Sequence, residues 1–157
     1  MFGQLQAREI ENVISHQLIG RLGCYADGKI YVVPISYAYD GRYIYAFSRE
    51  GMKLEMMRKN PQVCLQIDNL GQMDNWQSVI VWGNFEELTD NDLRNDALLK
   101  LMGRVLPAVT SELVHISPAY PFLHDHTENI IGVVYRIQIT EKTGRFEKNM
   151  TANFFEY

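Results

Sequence analysis

The sequence lacks the features that mark membrane, secreted or nucleic-acid-binding proteins. No run of about 18 apolar residues occurs, so no segment is expected to span a membrane. The N-terminus has no basic start followed by an apolar stretch, and a secretory signal is therefore not expected. The net charge is −4 and no long basic tract is present. Because phosphate binding by nucleic-acid-binding proteins requires clustered cations, nucleic acid is not expected to be the main partner.

Cysteine is scarce as well. The two cysteines, Cys24 and Cys64, are not in a C-x-x-C spacing. Both lie in apolar, strand-like surroundings, so we expect buried free thiols. Free thiols fit a reducing, cytoplasmic location, where disulfides are rare. No Ser-His-Asp pattern, paired carboxylates or P-loop stands out, and the sequence therefore identifies no catalytic residue.

The chain does contain regular patterns of apolar residues, with no repeat or linker, and residues 1–157 are expected to form one domain. The turn signals Asp27-Gly28 and Asp40-Gly41 predict β-hairpins and hence antiparallel strands. The predicted strands cover residues 21–26, 30–39, 43–48, 62–69, 76–88 and 130–140, and the predicted helices cover residues 8–18, 51–60 and 91–103. This order predicts a mainly β fold, a closed or half-closed barrel with flanking helices.

Three residues within these strands have specific structural implications. Pro34 has no N–H to donate, so it is expected at a sheet edge or a bulge. Gly83 marks a possible bulge in the long strand 76–88. Trp82 follows the alternation from Ile80 and is expected to pack under the sheet.

The pattern most indicative of function lies where the third predicted strand meets the second predicted helix. A helix start offers unpaired N–H groups and a partial positive charge. Ser48 adds a hydrogen-bond donor, Arg49 and Lys53 add cations, and Gly51 allows close backbone approach, which together predict a phosphate site. On these residues alone an alternative stays open, in which Ser48 caps the helix and both cations are solvated.

The whole chain also resembles a known family. Residues 20–68, GRLGCYADGKIYVVPISYAYDGRYIYAFSREGMKLEMMRKNPQVCLQID, are similar to the FMN-binding split-barrel family related to pyridoxamine 5′-phosphate oxidase. The later segments NWQSVIVWGNFEEL and YRIQITEKTGRFEK resemble that family's later strands. Within the family the chain is most similar to the branch that includes the nitroimidazole-reductase proteins. The resemblance implies a six-stranded antiparallel split barrel and a homodimer with two FMN sites at its interface.

The resemblance also implies which residues contact the cofactor. It places there Val33, Pro34, Ile35, Ser36, Ser48, Arg49, Lys53, Trp76, Gln77 and Ser78. The backbone of residues 33–36 would face the flavin ring, the junction at residues 48–53 would hold the phosphate, and residues 76–78 would approach from the same or the second subunit. Family members often carry an arginine at the position of Met52. Its absence weakens the phosphate site unless Arg49 or Arg58 compensates.

The expected function is that of an FMN-dependent oxidoreductase acting on a small organic molecule, reduced by NAD(P)H or another donor. The resemblance leaves F420 open as a cofactor in place of FMN, although F420 usually goes with other branches of the fold. A flavin-binding or sensing protein without turnover is one alternative. A haem-binding split-barrel protein is another, because related barrels bind haem and His124 and His126 form an H-x-H pair. On their own these histidines are expected in an exposed polar loop, and no metal site is predicted, since no further ligand at a typical spacing is evident.

Overall fold

The computed structural model describes residues 1–104 and 132–149, and most of these residues lie in β-strands. In chain order the elements are β1 (Phe2–Gln4), α1 (Ala7–His16), β2 (Ile19–Ala26), β3 (Lys29–Ser36), β4 (Ala38–Tyr39), β5 (Tyr43–Ser48), α2 (Met52–Lys59), β6 (Gln62–Gln72), β7 (Asn75–Glu87), α3 (Asn91–Met102) and β8 (Val133–Lys148). None of the helices in residues 1–104 and 132–149 has the length and hydropathy of a membrane-spanning segment.

The strands form one antiparallel sheet in the order β3-β2-β6-β7-β8-β5-β4, with β1 added to β8. Six longer strands, β2, β3 and β5 to β8, make up the expected split barrel, while β1 and β4 are short additions. The mainly β fold with flanking helices is therefore confirmed. Among the described strands β3 pairs with β2 alone, so no strand of residues 1–104 or 132–149 covers its other edge, which we call the open edge.

The barrel interior is filled by alternate residues of the strands and is covered by α1 and α2. Leu22, Leu65 and Tyr135 are fully buried in this core, together with Ile14 of α1 and Met57 of α2. A second cluster lies under α3, where buried residues of that helix pack on β5 and β8. The core therefore fixes α2, and with it the start of that helix, against the barrel.

A bulge interrupts the pairing of β7 with β8. Trp82 pairs with Glu141 and Gly83 pairs with Ile139, so Thr140 is the extra residue. A Cβ atom at Gly83 would lie 2.4 Å from the carbonyl oxygen of Gln138, which explains why glycine is required there. The predicted bulge at Gly83 is thus confirmed, with the inserted residue on the opposite strand.

The expectation that Trp82 packs under the sheet is wrong. The inner positions of β7 are taken by Val79, Val81 and Gly83, which are buried. Because side chains alternate between the two faces of a strand, Trp82 lies on the outer face, where its side chain is 36% exposed.

The two cysteines lie in neighbouring strands but on opposite faces of the sheet. Cys24 pairs with Val63, and Cys64 pairs with Gly23. Cys24 is buried in the interior, whereas Cys64 is half-buried on the outer face, and both are free thiols. The prediction of free thiols is confirmed, although only Cys24 is fully buried.

Candidate functional site

The open edge of β3 is set by the hairpin that joins it to β2. Asp27 and Gly28 both have positive φ, 51° and 74°, as a two-residue type I′ turn requires. Such a turn makes Ala26 and Lys29 a hydrogen-bonded pair, and every second pair beyond them is hydrogen-bonded too. The N–H of Tyr37 donates to the carbonyl of Leu18 at 3.1 Å, so the same alternation of hydrogen-bonded pairs continues to the end of β3. The peptide groups of residues 30, 32, 34 and 36 therefore point to the open edge.

The alternation of hydrogen-bonded pairs along β3 determines where residues 33–36 point. Pro34 is an edge position without a bulge, so its missing N–H costs no ladder hydrogen bond. Its side chain is exposed on the outer face, whereas Val33 is half-buried against the core and Ile35 is buried. The hydroxyl of Ser36 accepts a hydrogen bond from the guanidinium of Arg104.

The junction between β5 and α2 does not contain the helix cap that the sequence left open as an alternative. Ser48 is the last residue of β5, and its hydroxyl donates to the carbonyl of Arg49 at 2.9 Å. The N-cap residue is Gly51, and no side chain caps the helix among the described residues. No described side chain therefore accepts from the first N–H groups of α2, as an anion-binding helix start requires.

Lys53 is the unusual residue of the junction. Its side chain is half-buried, and burial lowers the pKa of its ammonium group. No hydrogen bond or ion pair to this group is present within the part of the chain that the structure describes. A cation that is partly desolvated and lacks a counter-charge is costly, which favours a site built for an anion.

The environment of Lys53 extends into the barrel. Burial raises the pKa of the Cys24 thiol, and the nearby charge of Lys53 opposes that rise. The Tyr135 hydroxyl is fully buried and has no hydrogen-bond partner among the described residues, and burial and the nearby Cys24 both raise its pKa. Lys53, Cys24 and Tyr135 thus share one region at the end of the barrel beneath α2.

The other two arginines near the junction differ in their partners. Arg58 donates to both Glu50 and Glu87, so its guanidinium is occupied by carboxylates. The idea that Arg58 compensates directly for the missing family arginine is therefore not supported. Arg49 is exposed next to Ser48, and no ion pair of its side chain occurs in the described ranges, which leaves it as the available second cation.

Trp76, Gln77 and Ser78 lie at the start of β7, far along the sheet from the junction. The Trp76 indole donates to Glu147 at 2.9 Å, and the Ser78 hydroxyl accepts from Gln66 at 3.0 Å. Gln77 and Trp76 line a cavity of about 540 Å³ with residues of β6 and β8.

Within one chain the two groups of predicted site residues are separated. Ser48 pairs with Val133 at one end of β8, and Trp76 pairs with Glu147 near the other end. These positions are fourteen residues apart, a path of up to about 45 Å along the strand. Lys53 lies near Cys24, which pairs with Tyr31 of β3, so the junction lies near that hairpin, whereas residues 76–78 lie toward the other end of β8.

Two contacts near the site were not predicted from the sequence: that of Arg104 with Ser36, and those of Arg58 with two carboxylates. Arg104 is 68 residues from Ser36, and Glu87 is 29 residues from Arg58, so no local spacing reveals either contact. His124 and His126 lie outside the described residues. Among residues 1–104 and 132–149, no group of three metal-ligating side chains is present.

Comparisons with known proteins agree with this fold. Residues 6–146 match the family described as pyridoxamine 5′-phosphate oxidase. An uncharacterized protein of Rhizobium meliloti (strain 1021) is 40% identical over 89 residues, which are 56% of this chain and 59% of that protein. The chain thus matches less than two thirds of that relative's length.

Solved structures extend the similarity over nearly the whole chain. A FAD-binding protein of Mesorhizobium loti is 35% identical with a TM-score of 0.69, covering 94% of this chain and 99% of that one. A candidate 5-nitroimidazole antibiotic resistance protein of Bacteroides thetaiotaomicron has the same fold, with 22% identity, a TM-score of 0.69 and coverage of 93% and 87%. The family match over residues 6–146, with the split barrel that carries it, shows that this chain belongs to the pyridoxamine 5′-phosphate oxidase-related family.

Proposed function

We propose that this protein binds FMN and acts as an FMN-dependent oxidoreductase on a small organic molecule. The observation that carries the proposal is Lys53, a half-buried cation at the start of α2 that forms no ion pair with any described residue. Lys53 lies near Cys24, which pairs with Tyr31 of β3, and the similar protein of Mesorhizobium loti is described as FAD-binding.

The residues present fit the phosphate of a flavin nucleotide. A phosphate monoester carries a charge of about −1.5 to −2 at neutral pH and offers three acceptor oxygens. The uncapped N–H groups of α2, the ammonium of Lys53 and the guanidinium of Arg49 are donors of the opposite charge. Such an anion would offset the desolvation of Lys53, for which the described residues supply no hydrogen bond or ion pair.

The open edge of β3 fits the polar rim of a flavin ring. The peptide groups of residues 32, 34 and 36 are turned away from β2, and hydrogen-bonding groups on a ring can pair with them as a strand would. Arg104 lies at the end of this edge on Ser36, which adds a positive charge there. These groups would orient the ring along the strand.

A bound flavin supplies the electron or hydride transfer itself. The chain's own residues then need to bind the cofactor, orient it and shield it from water, which agrees with the absence of a recognisable catalytic acid or base in the sequence. The donor we expect is NADH or NADPH. The two free cysteines favour a reducing compartment, and we expect the protein in the cytoplasm.

We expect the protein to be a homodimer whose partner subunit supplies residues 76–78 to each site. This would explain why these residues lie far from the junction of their own chain. A row of outer-face residues crosses four strands, namely Val32, Gly23, Cys64 and Trp82, and we call it the outer apolar row. Val32 is 61% exposed and its neighbour Ile30 is 76% exposed, an apolar face that a second copy would cover.

The test of this function is the absorption spectrum of the purified protein, followed by identification of the flavin released on denaturation. We expect a yellow protein that releases FMN. Release of FAD would retain the flavin site but change the cofactor, and a colourless protein that binds no added flavin would refute the proposal. Rapid reduction by NADH or NADPH and reoxidation by an electron acceptor would distinguish an enzyme from a flavin-binding protein without turnover.

A further inference from the structure

Arg58 joins the loop before α2 to the end of β7. Its Nη1 and Nη2 atoms donate to the two carboxylate oxygens of Glu50 at 2.7 and 2.8 Å. Its Nε and Nη2 atoms donate to the two oxygens of Glu87 at 2.9 and 3.0 Å. Both contacts are bidentate, a geometry that the planar guanidinium provides and a lysine ammonium cannot reproduce.

The loop that Arg58 holds is the one between Ser48 and the first turn of α2. Glu50 and Gly51 are exposed, and a Cβ atom at Gly51 would meet no atom of the described residues within 4 Å. Within the part of the chain that the structure describes, the Ser48 hydroxyl bonds to the adjacent carbonyl of Arg49 and to no other group. Packing therefore constrains this loop little, and the ion pairs of Arg58 link it to Glu87, the last residue of β7.

Arg58 also determines where a negative charge lies. Glu50 belongs to the loop that would surround the phosphate, and a free carboxylate there would repel it. The hydrogen bonds from Arg58 hold the Glu50 side chain toward Glu87 and keep the pKa of its carboxyl below the ordinary value. The same residue thus orders the loop and neutralises an unfavourable charge.

We propose that Arg58 is a positioning residue of the phosphate site, which holds the loop at residues 49–51 in place through Glu50 and Glu87 without itself contacting the phosphate. The inference rests on the proposed flavin binding. It assigns Arg58 a role different from that of the missing family arginine, since its guanidinium is already used by two carboxylates.

The test compares dissociation constants of the flavin-free full chain for FMN and for riboflavin, which lacks the phosphate. Because Arg58→Lys keeps the charge but loses both bidentate contacts, we expect it to weaken FMN binding by about fivefold or more, while riboflavin binding changes by less than about twofold. The matched control is Lys59→Met on the same helix, which removes an exposed ion pair with Asp27 (2.6 Å) and should leave both constants unchanged.

A second variant separates position from charge. Glu87→Gln removes a negative charge, so electrostatics alone would tighten FMN binding, whereas loss of the anchor on β7 should weaken it. Equal weakening of FMN and riboflavin in Arg58→Lys, no effect of that variant, or tighter FMN binding in Glu87→Gln would overturn the proposal. A wild-type chain that binds neither flavin would instead refute the flavin site itself.

Discussion

The hydroxyl of Tyr37 donates a 2.7 Å hydrogen bond to the carbonyl oxygen of Ile14. Ile14 lies in the last turn of α1, where backbone carbonyls have no partner within the helix. Tyr37 lies between β3 and β4 and is 1% exposed. One buried side chain therefore satisfies the end of α1 and connects it to the strand whose open edge forms the candidate site.

Replacing Tyr37 by phenylalanine should destabilise the protein. The substitution keeps the ring but leaves the Ile14 carbonyl oxygen without its hydrogen-bond donor. Such a loss lowers the free energy of unfolding by about 1–2 kcal/mol. Urea unfolding of the flavin-free protein should show a lower midpoint with an unchanged slope. An unfolding free energy equal to that of the wild type would show that another group replaces the phenol.

Tyr135→Phe should have the opposite effect in the same measurement. Tyr135 is also fully buried, but its hydroxyl has no hydrogen-bond partner among the described residues. Because an unsatisfied buried hydroxyl is unfavourable, its removal should leave the unfolding free energy unchanged or raise it by up to about 1 kcal/mol. A loss as large as that of Tyr37→Phe would mean that the hydroxyl has a partner, such as an internal water molecule.

Lys53 should destabilise the folded protein when no anion is bound. Its pKa in the folded state is lowered by burial, so the unfolded chain binds more protons than the folded chain between that pKa and the ordinary lysine value of about 10.4. The free energy of unfolding therefore rises with pH between these two pKa values. Below the folded-state pKa the charged Lys53 destabilises the folded protein in full.

We accordingly expect Lys53→Met to be more stable than the wild type at pH 7 in a phosphate-free buffer without flavin. The difference should shrink as the pH approaches 10, where the wild-type lysine loses its charge. The same variant should bind FMN about tenfold more weakly or worse, because it loses a charge-assisted contact. A Lys53→Met variant that is less stable at pH 7 and retains FMN affinity would contradict both expectations. Unfolding curves at the two pH values and flavin titration provide the measurements.

Local patterns predicted much of the fold. The strand at residues 43–48 has the predicted bounds, and the turn at Asp27-Gly28 forms the predicted hairpin, since both depend on adjacent residues. The junction at residues 48–53 was visible for the same reason. Alternation could not decide which face of β7 is buried, because Ile80 and Trp82 on one face are as apolar as Val79 and Val81 on the other.

Contacts between distant segments could not be predicted from local patterns. The position of Tyr135 near Cys24 depends on the registers of β8 with β5 and β7. The link from Glu50 through Arg58 to Glu87 depends on where β7 ends relative to α2. Both depend on the order and register of strands across the whole sheet, which no local pattern encodes.

The outer apolar row should be the surface on which two copies associate. Val32→Glu would place a charge on the edge strand, at one end of that row, so we expect a dimer to become a monomer at micromolar concentration and to retain less flavin. Leu99→Glu is the matched control, since Leu99 is 62% exposed on α3, outside the outer apolar row, and its variant should stay dimeric. Size-exclusion chromatography with light scattering gives the mass of each. A monomeric wild type, or a Val32→Glu variant that remains a dimer, would rule out this face as the interface, and residues 76–78 would then need another explanation than contact with the partner's flavin.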